Sequence, residues 1–467
     1  MCSSDLKTDP EHKDQYQWNG QWRPMAVRQE RIAVKGASEV SLTVRETHLG
    51  PVVSAFAYRQ SGEPEVALKR IPLCETNRDT IQAVFAMMRS TNAAQFVRAL
   101  GDWRFPSANC VYGDAEGHVG YSILGGVPIR SPQAPDREGN VAVNGASDAD
   151  DWQGFVPHSV LPQVSDPHQG YVLSANHRPV ASFYGIPLGL STGSMGDTIR
   201  SWRLRERLGP RDRFSPADVL DVHYDSTNPA RREMVRLGLH LRETKQGEFS
   251  ENSLKALAAL EPWLKQGASS DLKNPGADLA SGISTFFRFV TTSLAQKYGG
   301  GESGLARFLK DSSARINADP KAQFSDEESK FLDSVLSAAW EQNSGRGRET
   351  GRSRGASSAN PNQQLGWFDS LDGFGSLDTA FDLKAPSITC LDGQTIHSQG
   401  GQSYTQWVPL HDVDSAQSIC PIGHSDRPEG RHRTSTMKLW GEAKLHPAPL
   451  SRGAVEKLVA ERRSLGR

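Results

Sequence analysis

Nowhere in these 467 residues is there an apolar run long enough to cross a bilayer. The best candidate, Ile283 to Ala295, is interrupted by Arg288 and reads as a buried or amphipathic helix. Charge of one sign is missing as well. A net charge of -1 and a pI near 6.9 give no electrostatic case for a nucleic-acid partner, whose phosphates call for a basic face. Cysteine is scarce: Cys2, Cys74, Cys110, Cys390 and Cys420 lie far apart, with no Cys-x-x-Cys pair. Thiol-based metal or redox chemistry is therefore disfavoured, and one or two long-range disulfides stay open. The start of the chain shows no basic-then-apolar signal region, and no internal repeat appears along it.

What is present is enough apolar material, 37% of residues, for a large core in one big domain or in two to four smaller ones. Met1 to Leu6 and the polar run Lys7 to Gln15 show no strand pattern. Cys2-Ser3-Ser4-Asp5-Leu6 is also the in-frame translation of a common sequencing adapter. Residues 1–15 are accordingly read as an artefact or disordered start, with a partial domain over 16–467 and the gene continuing upstream.

Tyr16 to Trp22 is a turn between aromatic strand residues, and Arg31–Lys35 and Val40–Arg45 alternate as half-buried strands do. Gly50-Pro51 breaks that pattern before another strand, Val52 to Ala57. Cys110–Gly113 and His118–Ile123 flank Asp114-Ala115-Glu116-Gly117, a hairpin with glycine where the turn needs positive φ. Thr80–Ser90 and Asn92–Leu100 read as helices. Further on, Ser215 with Pro216 marks a helix start, and Leu254–Gln266, Gly282–Tyr298 and Glu327–Gln342 continue the helical pattern. Asn343 to Gln363 is rich in Gly, Ser, Arg and Asn and reads as a flexible insertion. Short strands return near the end, before a last helix starting near Arg452.

The most informative segment is Gly170 to Pro179, read as a hydrophobic strand running into a turn, with Asn176 at its end and Arg200 beyond. An amide so placed can aim a hydrogen-bond donor at a developing oxyanion without reorganising during reaction. Its bland counterpart is an Asn-turn that merely closes a strand. For Arg200 the counterpart is an ion pair with Glu206 or Asp197, and the two readings weigh about equally. His177 reads as a hydrogen-bonded wall, Arg203 as structural and Asp225 as a helix-end hydrogen-bonding residue.

Taken in order, these segments resemble the penicillin acylase family, amidases of the N-terminal-nucleophile hydrolase superfamily. The resemblance runs through Tyr16 to Val34, Thr47 to Val52, Asn109 to Asp114, Gly117 to Tyr121 and Gly126 to Arg130. It continues through Leu161-Pro162, Asp166-Pro167, Gly170 to Pro179 and Arg200 to Leu204, then Gly400 to Tyr404, Pro421 to Ser425 and Leu439 to Pro447. Each motif is weak alone; their shared order is specific.

The resemblance implies an α+β fold, a four-layer αββα sandwich, here incomplete at its N-terminus. It also implies hydrolysis of a linear amide through an acyl-enzyme, by an N-terminal serine whose α-amine is the base. An α-amine titrates near ~8, so it serves as a base close to neutral pH. By the same resemblance Asn176 donates to the oxyanion and Arg200 orients the site, while a backbone N–H from an upstream strand is the second donor. The small-molecule amide substrate would meet a pocket that Phe183 and Tyr184 either border or back as core.

The nucleophile segment, the small subunit and most calcium-binding carboxylates of the family have no counterpart here, so no cofactor is assigned. Cys2, exposed by removal of Met1, is a chemically valid nucleophile, but the residues after it lack the strand a nucleophile must head. The expectation is a fragment of the family's large subunit, inactive by itself, whose complete form is periplasmic or secreted. Its alternative is a non-catalytic binding or scaffold module, or a separately encoded subunit. Either way, exposed apolar sheet surface is expected where strands are missing.

Overall fold

The structure is a computed structural model. It describes residues 2–55, 63–71, 73–133, 138–139, 141–181, 183–189, 196–209, 211–225, 227–269, 276, 279–280, 283, 292–344, 404–420, 424, 432, 435–436, 439 and 444–459, without the side chains of 2–3, 73–79 and 342–344. The chain divides into two compact bodies, Met1–Ser174 with Arg178–Met195, and Ala175–His177 with Gly196–Arg467.

Among the described residues, the first body is built of short strands and two α-helices. Its strands are β1 (Cys2–Leu6), β2 (Gln15–Trp18), β3 (Gln21–Pro24), β4 (Ala26–Ile32), β5 (Val40–Thr47), β6 (Gly50–Pro51) and β7 (Glu65–Lys69). After helices α1 (Leu73–Met88) and α2 (Ala93–Leu100) come β8 (Ala108–Gly113), β9 (Val119–Leu124), β10 (Pro128–Arg130), β11 (Val143–Asn144), β12 (Trp152–Phe155) and β13 (Gln163–Ser165). They pair into two- and three-stranded sheets.

The turn chemistry follows the sequence. β2 and β3 are joined by Asn19-Gly20, both at positive φ (49° and 78°), the mirror-image turn that matches strand twist. At the β8–β9 hairpin Gly117 takes φ 94°, and the Asp114 carboxylate accepts from the Glu116 and His118 amides. Asn92 caps α2 by accepting from Gln95 N–H at 3.0 Å. Apolar burial here comes in two small clusters, one around Leu6, Tyr16, Trp18 and Leu49 and another around Tyr121, Ile123, Val127 and Leu161.

Two expectations need correction in this body. Residues 2–6 do form a strand: β1 is the middle of its sheet, parallel to β11 and antiparallel to β7. The inward positions are Ser4 and Leu6, both almost fully buried, and a serine at an inward position hides the period-two signal. Conversely, the strand expected over Arg31–Lys35 is only the end of β4, which stops at Ile32; β4 is exposed at every position, and Val27, Ile32 and Val40 stay 46–50% exposed. Its support is mostly cross-strand, as in the Gln29 Nε2 bond to Thr43 Oγ1 at 2.9 Å and the Arg28–Glu46 pair at 3.2 Å.

The second body is helical. Its elements are α3 (Ile199–Leu208), α4 (Pro216–His223), α5 (Pro229–Glu243), α6 (Glu251–Lys265), α7 (Ser293–Tyr298), α8 (Gly301–Ala318), α9 (Asp326–Ser344) and α10 (Arg452–Lys457). A three-stranded sheet joins β14 (Thr405–Trp407), β15 (Gln417–Ile419) and β16 (His446–Pro447). Ser215 caps α4 in a reciprocal capping box with Asp218, and Pro216 fills the first turn, where its missing N–H costs nothing. One continuous apolar cluster links α3, α5, α6, α8 and α9, with Trp263, Phe308, Leu257 and Leu336 fully buried.

The helix expected over 282–298 is described at its C-terminal end, as α7. Of the insertion expected over 343–363, Asn343 and Ser344 end α9 and the rest lies outside the described residues. The final strand motifs over 400–404 and 421–425 lie almost wholly outside them too. Cys110 and Cys420 are free thiols, which removes both from any disulfide; the other three cysteine side chains are not among those described.

Candidate active site

Tyr171 to Ser174 forms no strand, which corrects the first half of the expectation for this segment. Two backbone groups flanking the segment bond to side chains. Gln169 Nε2 donates to the Tyr171 carbonyl at 3.1 Å, and the Ala175 amide donates to His177 Nδ1 at 3.3 Å. Asn176 then turns the chain with φ 58°, the left-handed region that a short amide side chain tolerates. This is the backbone that an Asn-turn calls for, and it is also compatible with an amide aimed outward.

The helical body holds this turn through its own residues. Ala175 is buried, and its carbonyl accepts from Thr198 Oγ1 at 2.7 Å. Thr198 is also the N-cap of α3, in a capping box with Ser201, so one residue ties the turn to the helix start. That fixes the register of Arg200, the second residue of α3 and largely buried. Its Nη2 donates to Asn176 Oδ1 at 2.5 Å.

This bond settles which way the Asn176 amide faces. A guanidinium only donates, so the oxygen must point at Arg200 and the NH2 group away from it. Asn176 is exposed, and no protein group among the described residues accepts from its Nδ2. The pair therefore presents two N–H donors, backed by a buried positive charge, at the surface of its body.

The ion-pair alternatives for Arg200 are occupied by others. Glu206 binds Arg203 at 2.9 Å and Arg232 at 2.6 Å, and Asp197 binds Arg205 and Lys310. Burial pushes the Asp197 carboxyl up, but Lys310 and Arg205 outweigh it and hold the group below its ordinary range. Burial lowers the His177 pKa, with Arg205 adding to the effect, so its ring is a neutral wall near pH 7. Arg203 grips Asp225 with two bonds, at 3.1 and 2.6 Å, while Asp225 accepts from the Thr227 amide. Both are structural, as their sequence context implies.

Two contributors escaped the sequence reading. Thr198 carried a signal, a Thr just before a helical run. Glu302, whose Oε1 accepts from Ile199 N–H at 2.5 Å, carried none, because the contact spans 103 residues. In the strand-rich body, Phe183 is 90% exposed and so is not core, while half-buried Tyr184 donates its hydroxyl to the Val160 carbonyl. Among the described residues no group of His, Cys, Asp and Glu is arranged to hold a metal ion, and no helix is long and apolar enough to cross a membrane.

A turn amide whose oxygen is held by a helix-borne arginine defines a donor site suited to anionic oxygen. Comparison with known proteins identifies the class: the penicillin amidase family model matches residues 4–457, and the chain belongs to that family. Its members include acylases of penicillin and of acyl-homoserine lactones. Over 282 residues the chain is 28% identical to the penicillin acylase 2 proenzyme of Pseudomonas sp. (strain SE83), covering 60% of this chain and 34% of that protein. Over 176 residues it is 30% identical to the acyl-homoserine lactone acylase QuiP of Pseudomonas fluorescens (strain ATCC BAA-477), covering 38% of this chain and 21% of the relative. The match thus spans about a third or less of these curated relatives. A thermostable penicillin G acylase from Alcaligenes faecalis shares the mixed α+β fold, with TM-score 0.65 and 17% identity over 100% of this chain and 86% of that one.

Proposed function

We propose that this chain supplies the oxyanion-stabilising part of an amide hydrolase that cleaves linear C–N amides of the penicillin or acyl-homoserine lactone type. The observation that carries the reading is the Arg200 bond to Asn176, which leaves the Asn176 NH2 turned outward. In this reading Asn176 Nδ2 donates to the tetrahedral oxyanion as the acyl-enzyme forms and breaks down. Arg200 holds the amide in register and prevents its flip. The attacking serine, with its α-amine as base, belongs to a segment outside this chain, as does the second donor. The four-layer sandwich would be complete only with that segment, and its leader would direct the whole to the periplasm or the exterior. Support comes from family membership and from the fraction of its relatives that the match spans.

Asn176→Asp in the full-length protein is the decisive variant, because it keeps the left-handed backbone and the Arg200 contact but removes both N–H donors. Hydrolysis of a chromogenic acyl anilide is expected to fall roughly 100- to 1000-fold, the usual consequence of losing one oxyanion donor. Thermal stability should hold, since the residue is exposed. An Asn176→Asp enzyme with unchanged kcat overturns the proposal. The 467-residue chain assayed alone should be inactive; activity there that vanishes with Cys2→Ala would instead assign the nucleophile to the thiol at the head of β1.

A further inference from the structure

We infer that Glu302 is a positioning residue for the Arg200–Asn176 pair: from the first turn of α8 it accepts the Ile199 amide, fixes the first turn of α3, and so sets where Arg200 holds Asn176. The inference rests on the reading of Asn176 as the oxyanion donor, and it adds a residue that the chemistry itself never touches.

The geometry is a relay of contacts inside the helical body. Ile199 N–H is one of the four amides that a helix start leaves without an internal partner, and Glu302 Oε1 takes it at 2.5 Å. A carboxylate there also faces the positive end of the helix dipole. The next residue along is Arg200. Thr198, one residue earlier, ties the same turn to the Ala175 carbonyl. Space is tight on the α8 side: a Cβ added to Gly196 would stand 2.9 Å from Ser303 Cβ, leaving little room for α3 to shift independently. Two attachments thus define this helix start, Thr198 on Ala175 and Glu302 on Ile199, immediately before Arg200.

Glu302 is also placed to change charge in the working range of such an enzyme. Burial pushes its carboxyl up to about 7, against the pull of the Ile199 amide and the charge of Arg200. Facing the same end of α3 are Asp197, held by Lys310 of α8 and Arg205 of α3, and the neutral His177 of the turn. Arg200 is the charged group that acts on Glu302. Ionisation of Glu302 therefore changes the field at the guanidinium and tightens the Ile199 bond, since charged acceptors bind amides more strongly.

The test uses Glu302→Gln, which keeps an acceptor for Ile199 but loses the titration, and Glu302→Ala, which loses both. In the full-length enzyme Glu302→Ala should lower kcat on the acyl anilide roughly 10- to 100-fold with KM within about twofold, as expected when a donor is misplaced. Glu302→Gln should keep kcat within about threefold and lose the inflection near pH 7. Independently of activity, the Asn176 side-chain amide signal of the 15N-asparagine-labelled chain, assigned with Asn176→Asp, should titrate with a midpoint near 7 and stop titrating in Glu302→Gln.

An amide signal that is flat in the parent, or that titrates identically in Glu302→Gln, overturns the inference; so does wild-type kcat in Glu302→Ala. If Glu302→Ala does not fold, the Gln variant decides. Should the signal follow Glu302 while Asn176→Asp leaves hydrolysis intact, the positioning role stands and the acylase reading falls. Should Asn176→Asp abolish hydrolysis while both Glu302 variants move nothing, the reverse holds.

Discussion

Trp263 and Val27 mark the extremes of this molecule. Trp263, on α6, is fully buried, and its indole N–H donates to the Ser269 carbonyl at 2.8 Å. Val27, on β4, is 46% exposed, with Arg45 as its partner across the ribbon. Trp263 sits in a segment with regular apolar spacing, and Val27 in a strand paired with one, β5. In the helical body α3, α5, α6, α7, α8 and α9 turn apolar residues toward one another, and these merge into a single core. In the strand-rich body, the alternating strand β5 pairs with β4 as a ribbon, but nothing among the described residues covers β4. Period alone specifies an element; burial needs a second apolar surface to meet it.

The sharpest way to break this contrast is Trp263→Ala. It should cost about 3–5 kcal/mol in denaturant unfolding, and a loss below about 1 kcal/mol would show that the helical core is less unified than its contacts imply. The strand-rich body has its own rigid point at Gly50, where φ is 117° and an added Cβ would lie 2.3 Å from the Leu68 carbonyl oxygen. Gly50→Ala should cost on the order of 2–3 kcal/mol, by strain rather than by lost burial.

Two histidines separate the bodies by sign. His223, bonded to Thr405 at 2.8 Å, is lowered by burial to about 4. Its folded value lies below the unfolded one near 6.5, so its contribution is present above pH 6.5 and is lost as pH falls toward 4. That loss is on the order of 1–2 kcal/mol after allowance for partial exposure, and His223→Gln should flatten it in stability measured against pH. His118, exposed and bonded to Asp166 at 2.8 Å, is raised by that partner. Its contribution is present below about 6.5 and lost as pH rises through its folded value, which an NMR titration of the ring checks directly. The smallest effect belongs to Val27→Thr, expected within about 0.5 kcal/mol. A larger loss would mean that something covers the ribbon in solution.

The elements written in local chemistry were legible. Asn19-Gly20, Gly117, Asn92 and Ser215 with Pro216 each mark a turn or cap through the residue itself, and each sits where its chemistry places it. Asn176 and Arg200 could be named as candidates, but their contact could not be deduced, because Glu206 and Asp197 offered equally reasonable partners. Three other arginines and a lysine took those carboxylates, and such competition is decided in three dimensions. β1 was hidden by a serine at an inward position, and the strand before Asn176 was suggested by apolar residues that form no ladder. Glu302 was out of reach for a simpler reason: no local pattern encodes a partner on a distant helix.

The backbone at Asn176 has a consequence for how this position can vary. Its left-handed twist admits glycine and aspartate easily, yet neither carries a side-chain N–H to offer. Glutamine supplies the same functional group on a longer arm, but it neither favours that twist nor ends in the same place. Two independent filters, one conformational and one chemical, therefore overlap at a single codon choice among the carboxamides. A saturation library selected for turnover should return asparagine there, while one selected for folding alone should return glycine and aspartate beside it.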